Sequence, residues 1–129
     1  MLKFISIVTV LSASALLYTP GLNADHHAAD PVAAMAGILL GLKHFPSDSD
    51  KATLAAISQG DDSDAVKTVA HAIANISHKV GAEDKAKLAA IIADDAAPDE
   101  LKSLAVVVNG LNHFPSADAV ATLESLASR

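Results

Sequence analysis

Two stretches of the chain are nearly identical. Residues 41–47 read Gly-Leu-Lys-His-Phe-Pro-Ser, and residues 110–116 read Gly-Leu-Asn-His-Phe-Pro-Ser. A third segment, which lies between them, keeps a histidine, His78, in the same register. Agreement of this density indicates internal repetition, so the repeat has to be defined before any single motif is interpreted.

The alignment extends over most of the chain. Equivalent segments begin at Asp30, Asp64 and Asp99, with offsets of 34 and 35 residues. The period is similar to that of tetratricopeptide repeats, but the tryptophan and tyrosine positions of that pattern are missing, so the similarity is architectural and implies no family. We divide a helical domain, residues 30–129, into repeats 30–63, 64–98 and 99–129.

Each repeat is predicted to form two helices joined by a tight corner. Asp30 followed by Pro31 is a strong helix start, because the carboxylate can cap free amides and proline at the first helical position loses no hydrogen bond. Pro46 disfavours helical geometry at the preceding residue, so the first helix should end near His44. Ser47, followed three residues later by an aspartate, can then cap the second helix.

The predicted fold class is therefore all-α, with three tandem helical hairpins and six short helices. No segment shows the alternation typical of a strand. Stacked hairpins bury an apolar face that one hairpin cannot bury alone, and the 27 alanines let helices approach closely. Both a small bundle and a short α-solenoid satisfy this pattern.

Residues 1–24 are predicted to be a signal peptide. A basic start at Lys3 precedes an uncharged, mostly apolar run over residues 4–18, which is shorter than the roughly 20 residues that span a bilayer. Ala24 supplies a small residue at the cleavage position. The expected location is periplasmic or secreted, and the alternative is an uncleaved amino-terminal anchor.

The composition of the predicted mature chain excludes several classes of function. It would have eight basic and fifteen acidic side chains, a formal charge of −7, with Phe45 and Phe114 as its only aromatic residues. The absence of cysteine excludes disulfides and thiolate metal sites. An acidic chain whose one arginine is its last residue, Arg129, is not expected to bind nucleic acid. No membrane partner is expected after signal cleavage.

The new amino terminus carries the metal site that the sequence predicts. Cleavage after Ala24 would leave a flexible tail, residues 25–29, that begins Asp25-His26-His27. A free amine with a histidine at the third position can enclose copper or nickel in a square plane of nitrogens. The alternative interpretation is a polar tail with incidental histidines.

The histidines shared by the repeats are interpreted differently. Equivalent positions of stacked helices lie about 10 Å apart, which is too far for His44, His78 and His113 to share an ion with bonds of about 2 Å. We therefore expect each to interact with the carboxyl end of its own helix. His71 is expected to be exposed or packed.

No catalytic constellation is evident, and the chain is not expected to be an enzyme. The expected function is that of an exported helical-repeat protein that binds an unidentified protein partner or associates structurally, with a homo-oligomer left open. The first alternative is a periplasmic copper or nickel protein that uses Asp25, His26 and His27. A second is catalysis by a histidine and carboxylate pair such as His44 and Asp48. No cofactor other than copper or nickel is expected.

Overall fold

The computed structural model describes residues 30–129, so the predicted signal peptide (residues 1–24) and tail (residues 25–29) lie outside the described part. The described residues form six α-helices: α1 (Pro31–Leu40), α2 (Asp48–Gln59), α3 (Asp64–Ala74), α4 (Ala82–Ala93), α5 (Asp99–Asn109) and α6 (Ala117–Ala127). The prediction of an all-α fold with six short helices is confirmed. Within residues 30–129, no helix is both long enough and apolar enough to cross a membrane.

The helix starts follow the capping signals. Asp30 accepts a hydrogen bond from the Val32 amide at 2.8 Å, with Pro31 at the first helical position. Ser47 and Asp50 form a reciprocal capping box at the start of α2. These caps satisfy amides that have no partner inside a helix. The capping box at Ser47 also marks the predicted corner between the two helices of the first repeat.

The first helix of each repeat is an inner helix. Helices α1, α3 and α5 contact one another, and they carry most of the buried side chains. The outer helices α2, α4 and α6 bury far fewer apolar residues each. The molecule is thus three inner helices surrounded by three outer ones.

The most extensive helix packing joins different repeats. Helix α2 packs on α3 and α4 packs on α5, so that the second helix of one repeat covers the first helix of the next. Helix α6 packs in the same way on α1, which joins the last repeat to the first. A solenoid would leave those two helices apart. The three repeats therefore form a closed ring, which is a small bundle with approximate threefold symmetry.

The buried residues of the core recur at equivalent positions of the three sequence repeats. Fully buried alanines of the inner helices lie at equivalent positions, where a small side chain lets the helices approach closely. Each outer helix inserts one fully buried leucine into the same core. The alanines are Ala36, Ala70 and Ala105, and the leucines are Leu54, Leu88 and Leu123.

The last residue of the chain lies at the closure of the ring. The guanidinium of Arg129 is 3.3 Å from the carboxylate of Asp30, at the start of α1, and 3.9 Å from that of Glu100, in α5. The single arginine of the sequence thus connects the end of the third repeat to the beginning of the first.

Within residues 30–129, the one buried side-chain polar atom without a hydrogen-bond partner is the amide oxygen of the half-buried Asn109. The equivalent positions of the other repeats are Leu40 and Ala74. We expect Asn109→Ala to raise the free energy of unfolding by about 1 kcal/mol, since it removes the desolvation penalty of the amide and improves helix propensity. Urea denaturation measures this change. Gln59→Ala, at the exposed end of α2, is the matched control and should change stability by only a few tenths of a kcal/mol. Equal effects of the two substitutions would contradict the burial argument.

Candidate metal centre

The three corners that follow the inner helices meet at one end of the bundle. Each corner carries its histidine four residues beyond the last residue of the helix. Since the ring is closed, equivalent corners surround a common axis. The helix ends and their histidines are Leu40 with His44, Ala74 with His78, and Asn109 with His113.

Main-chain hydrogen bonds hold the corners together. The amide of His78 donates to the carbonyl of His44 at 2.7 Å, and the amide of His113 donates to the carbonyl of His78 at 2.6 Å. A β-bridge between Lys79 and Asn112 adds to the contact of the second and third corners. Because the backbone makes these contacts, the imidazole rings are not needed to hold the corners in place.

Two of the histidines adopt an unusual backbone conformation. His78 has a φ of 68° and His113 a φ of 65°, and they are the only residues of the described chain other than glycine with positive φ. The left-handed region costs an L-residue about 1–2 kcal/mol relative to its ordinary conformations. Glycine is the usual occupant of such positions. Strain of this kind concentrates at functional sites.

The three rings form a compact cluster. Ring centroids lie 5.0 Å apart for His44 and His78, 5.4 Å apart for His78 and His113, and 6.1 Å apart for His44 and His113. One nitrogen from each ring can be chosen so that all three lie within 4.8 Å of one another. All three residues are exposed. We call this set the histidine cluster.

The cluster is close to the geometry of a metal site. Two imidazole nitrogens on a tetrahedral zinc ion lie about 3.3 Å apart, given bonds of about 2.0 Å. The nitrogens of the cluster would therefore have to approach by at most about 1.5 Å. All three imidazoles are exposed, so rotation about their side-chain torsions is the movement that would close this gap. The cluster supplies three ligands, and a tetrahedral ion takes its fourth from outside this set.

The prediction that the three histidines lie about 10 Å apart is wrong. That spacing applies to repeats that are stacked by translation, whereas here the repeats are related by rotation about an axis, and residues near the axis converge. The predicted hydrogen bonds to helix ends are not found within residues 30–129, where the imidazoles of His44, His78 and His113 donate to no helix carbonyl. In α1 the amide of Gly41 bonds to the carbonyls of Gly37 and Ile38.

His71 belongs to a separate polar contact between α3 and α4. The Asn75 side-chain amide lies 3.1 Å from Nδ1 of His71 and donates to the buried carboxylate of Asp84 at 3.2 Å. Gly81 offers no side chain to cap α4, so Asn75 and Asp84 supply a polar contact near that helix start.

In α4, the hydrogen bond and charge of Lys87 hold the pKa of Glu83 below its ordinary value.

The other predicted sites receive no support from the described residues. Asp25, His26 and His27 lie outside the described residues, so the predicted copper or nickel site stays a prediction. Asp48 is the first residue of α2, and the ion pairs found within residues 30–129 do not join it to His44.

Comparison with known proteins adds no assignment. The chain matches no protein-family model, and no curated protein or solved structure is detectably similar to it.

The positive φ of His78 and His113 predicts how glycine and alanine variants of the cluster differ in stability. At residues 78 and 113 we expect glycine to give a protein more stable than alanine by about 1 kcal/mol, because alanine retains the cost of positive φ. At residue 44, which does not have positive φ, alanine should be the more stable by about 0.5–1 kcal/mol. Denaturation of the six single variants in the presence of a chelator measures the differences. The same preference at all three positions would contradict the described backbone.

Proposed function

We propose that this protein binds one divalent transition-metal ion of the zinc class through His44, His78 and His113. The observation that carries the proposal is the convergence of three imidazole nitrogens within 4.8 Å, contributed by all three repeats. Imidazole is a common ligand of zinc, copper, iron and nickel. Zinc sites that bind water or a substrate typically have three protein ligands and leave one coordination position for an outside ligand.

The arrangement of the ligands favours particular ions. Three imidazoles placed around an axis approach an ion on that axis from three directions that do not share a square plane with it. This suits tetrahedral Zn²⁺ or Co²⁺ better than the tetragonal coordination of Cu²⁺. The preference is opposite to that of the predicted amino-terminal motif, which encloses copper or nickel in a square plane. The two sites can therefore be distinguished by the coordination geometry of the ion that each holds.

A bound ion would connect the corners of three repeats. Hydrogen bonds already link His44 to His78 and His78 to His113. An ion shared by His44 and His113 would add a direct connection between the first and third repeats. Since the ion binds the folded ring and not the separated repeats, metal binding is expected to stabilise the closed fold.

Zinc titration of the metal-free protein tests the proposal. We expect one equivalent to bind at neutral pH, and zinc at about 100 times its dissociation constant to raise the free energy of unfolding by about 2.7 kcal/mol. Loss of a residue that only orients a metal ligand typically weakens metal binding by about 10- to 100-fold. Replacing any one of the three histidines by alanine removes a ligand and should weaken zinc binding by more than this. Calorimetry and thermal denaturation measure both effects.

Two variants control for other histidines. His71→Ala removes a histidine outside the cluster, and the double variant His26→Ala/His27→Ala removes the predicted amino-terminal ligands. Both should keep the zinc affinity of the parent protein. If the double variant loses zinc binding while the three cluster variants keep it, the assignment to the cluster is wrong.

Acidification should release the ion. A ligating imidazole must be neutral, so protons compete with the metal for the same three nitrogens. Because three ligands are involved, we expect the zinc affinity to fall steeply as the pH is lowered below neutral. The stabilisation by zinc should disappear together with the binding. An affinity that does not change between neutral and mildly acidic pH would contradict coordination by the three imidazoles.

The remaining expectations from the sequence stay predictions. These are export to the periplasm or medium, association with a protein partner, absence of catalysis, and copper or nickel binding at Asp25, His26 and His27. Metal binding by the cluster is compatible with each of them, and none is required for it.

A further inference from the structure

The corners carry positive charge in an otherwise acidic protein. We define the corner face as residues 43–47, 77–81 and 112–116. It contains two lysines, Lys43 and Lys79, together with the three histidines of the cluster, and its sequence has no aspartate or glutamate. The whole chain has fifteen acidic side chains against nine basic ones. A divalent ion held by the cluster would make this face more positive still.

The same face exposes two phenylalanines. Phe45 is 61% exposed and Phe114 is 57% exposed, although large apolar side chains are usually covered. The Phe114 ring lies 5.5 Å from the His44 ring, between centroids. The corner face thus combines the metal ligands with exposed aromatic surface and cationic side chains.

A groove of about 420 Å³ lies beside His44. Lys43, His44 and Phe45 form part of its lining, together with Gly41, Ser47 and Asp50. The Asp50 carboxylate is the one acidic group in the lining, and it accepts a hydrogen bond from the Ser47 amide in the capping box of α2. The groove is therefore lined by the proposed metal ligand His44 together with its two sequence neighbours, Lys43 and Phe45.

We propose that the metal-loaded cluster binds a small aromatic carboxylate. The carboxylate would take the fourth coordination position of the ion, and its negative charge would be complemented by Lys43. The aromatic ring would lie in the groove against Phe45, where offset or edge-to-face packing is favourable. This inference rests on the proposed function, because the anion has no ligand to bind unless the cluster holds a metal.

Cobalt substitution tests the inference with the full protein. Tetrahedral Co²⁺ gives a visible spectrum that responds to a change of its fourth ligand, so the metal-loaded protein is titrated with benzoate and, separately, with acetate. We expect both to change the spectrum. Benzoate should bind about threefold to tenfold more tightly, as expected for one added aromatic contact.

Three variants assign the contacts. Phe45→Ala should reduce the preference for benzoate over acetate to about onefold, and Lys43→Gln should weaken both anions by a similar factor. Val106→Ala removes another exposed apolar side chain, which lies in α5 outside the corner face, and should change neither affinity. A preference for benzoate that survives Phe45→Ala would overturn the placement of the ring.

The outcomes separate this inference from the proposed function. If cobalt gives no spectrum that depends on the three histidines, the metal site itself is wrong. If the spectrum forms but benzoate leaves it unchanged, the metal site stands and the carboxylate ligand is wrong. A metal-dependent dimer that benzoate does not dissociate would also overturn the inference, since the fourth ligand would then come from a second copy of the chain.

Discussion

Closure of the ring by the packing of α6 on α1 is the interaction on which the rest of the structure depends. A single hairpin of this chain has too little apolar surface for an independent core, and an open row of three would leave one face of α1 and one face of α6 uncovered. Larger solenoids solve this with specialised end repeats that have polar outer faces. Here the terminal helices cover each other, so no end repeat is needed. Equivalent alanines and leucines in all three repeats make the three interfaces nearly interchangeable.

The same closure creates the candidate site. Because the repeats are related by rotation about one axis, the carboxyl ends of the three inner helices lie close together. Equivalent positions just after those ends therefore surround the axis. A histidine occupies that position in every repeat, although at residues 78 and 113 the backbone has positive φ that would favour glycine. Histidine at these positions is therefore a cost to stability, and the proposed metal binding would give a physical reason for that cost.

Much of the fold follows from local signals in the sequence. Asp30 with Pro31 and Ser47 with Asp50 place helix starts, and the repeated histidine corner defines the period of the repeat. Closure was not predictable in the same way, because hydrophobic periodicity shows that a helix has a buried face but does not say which helix covers it. The choice between stacking and ring closure decides whether His44 and His113 are far apart or adjacent. The recurrence of a histidine in all three repeats was the available signal for the site, and the assumption of translational stacking led to the opposite interpretation.

Contacts between the ring protons of His44 and His113 test the account most directly. These residues belong to the first and last repeats, and their ring centroids are 6.1 Å apart. With the histidine resonances assigned by single substitutions, the closed ring predicts nuclear Overhauser cross-peaks among His44, His78 and His113 in the metal-free protein. If the first and third histidines give no cross-peak to each other while each contacts His78, the repeats are arranged as an open row, and closure of the ring would be contradicted.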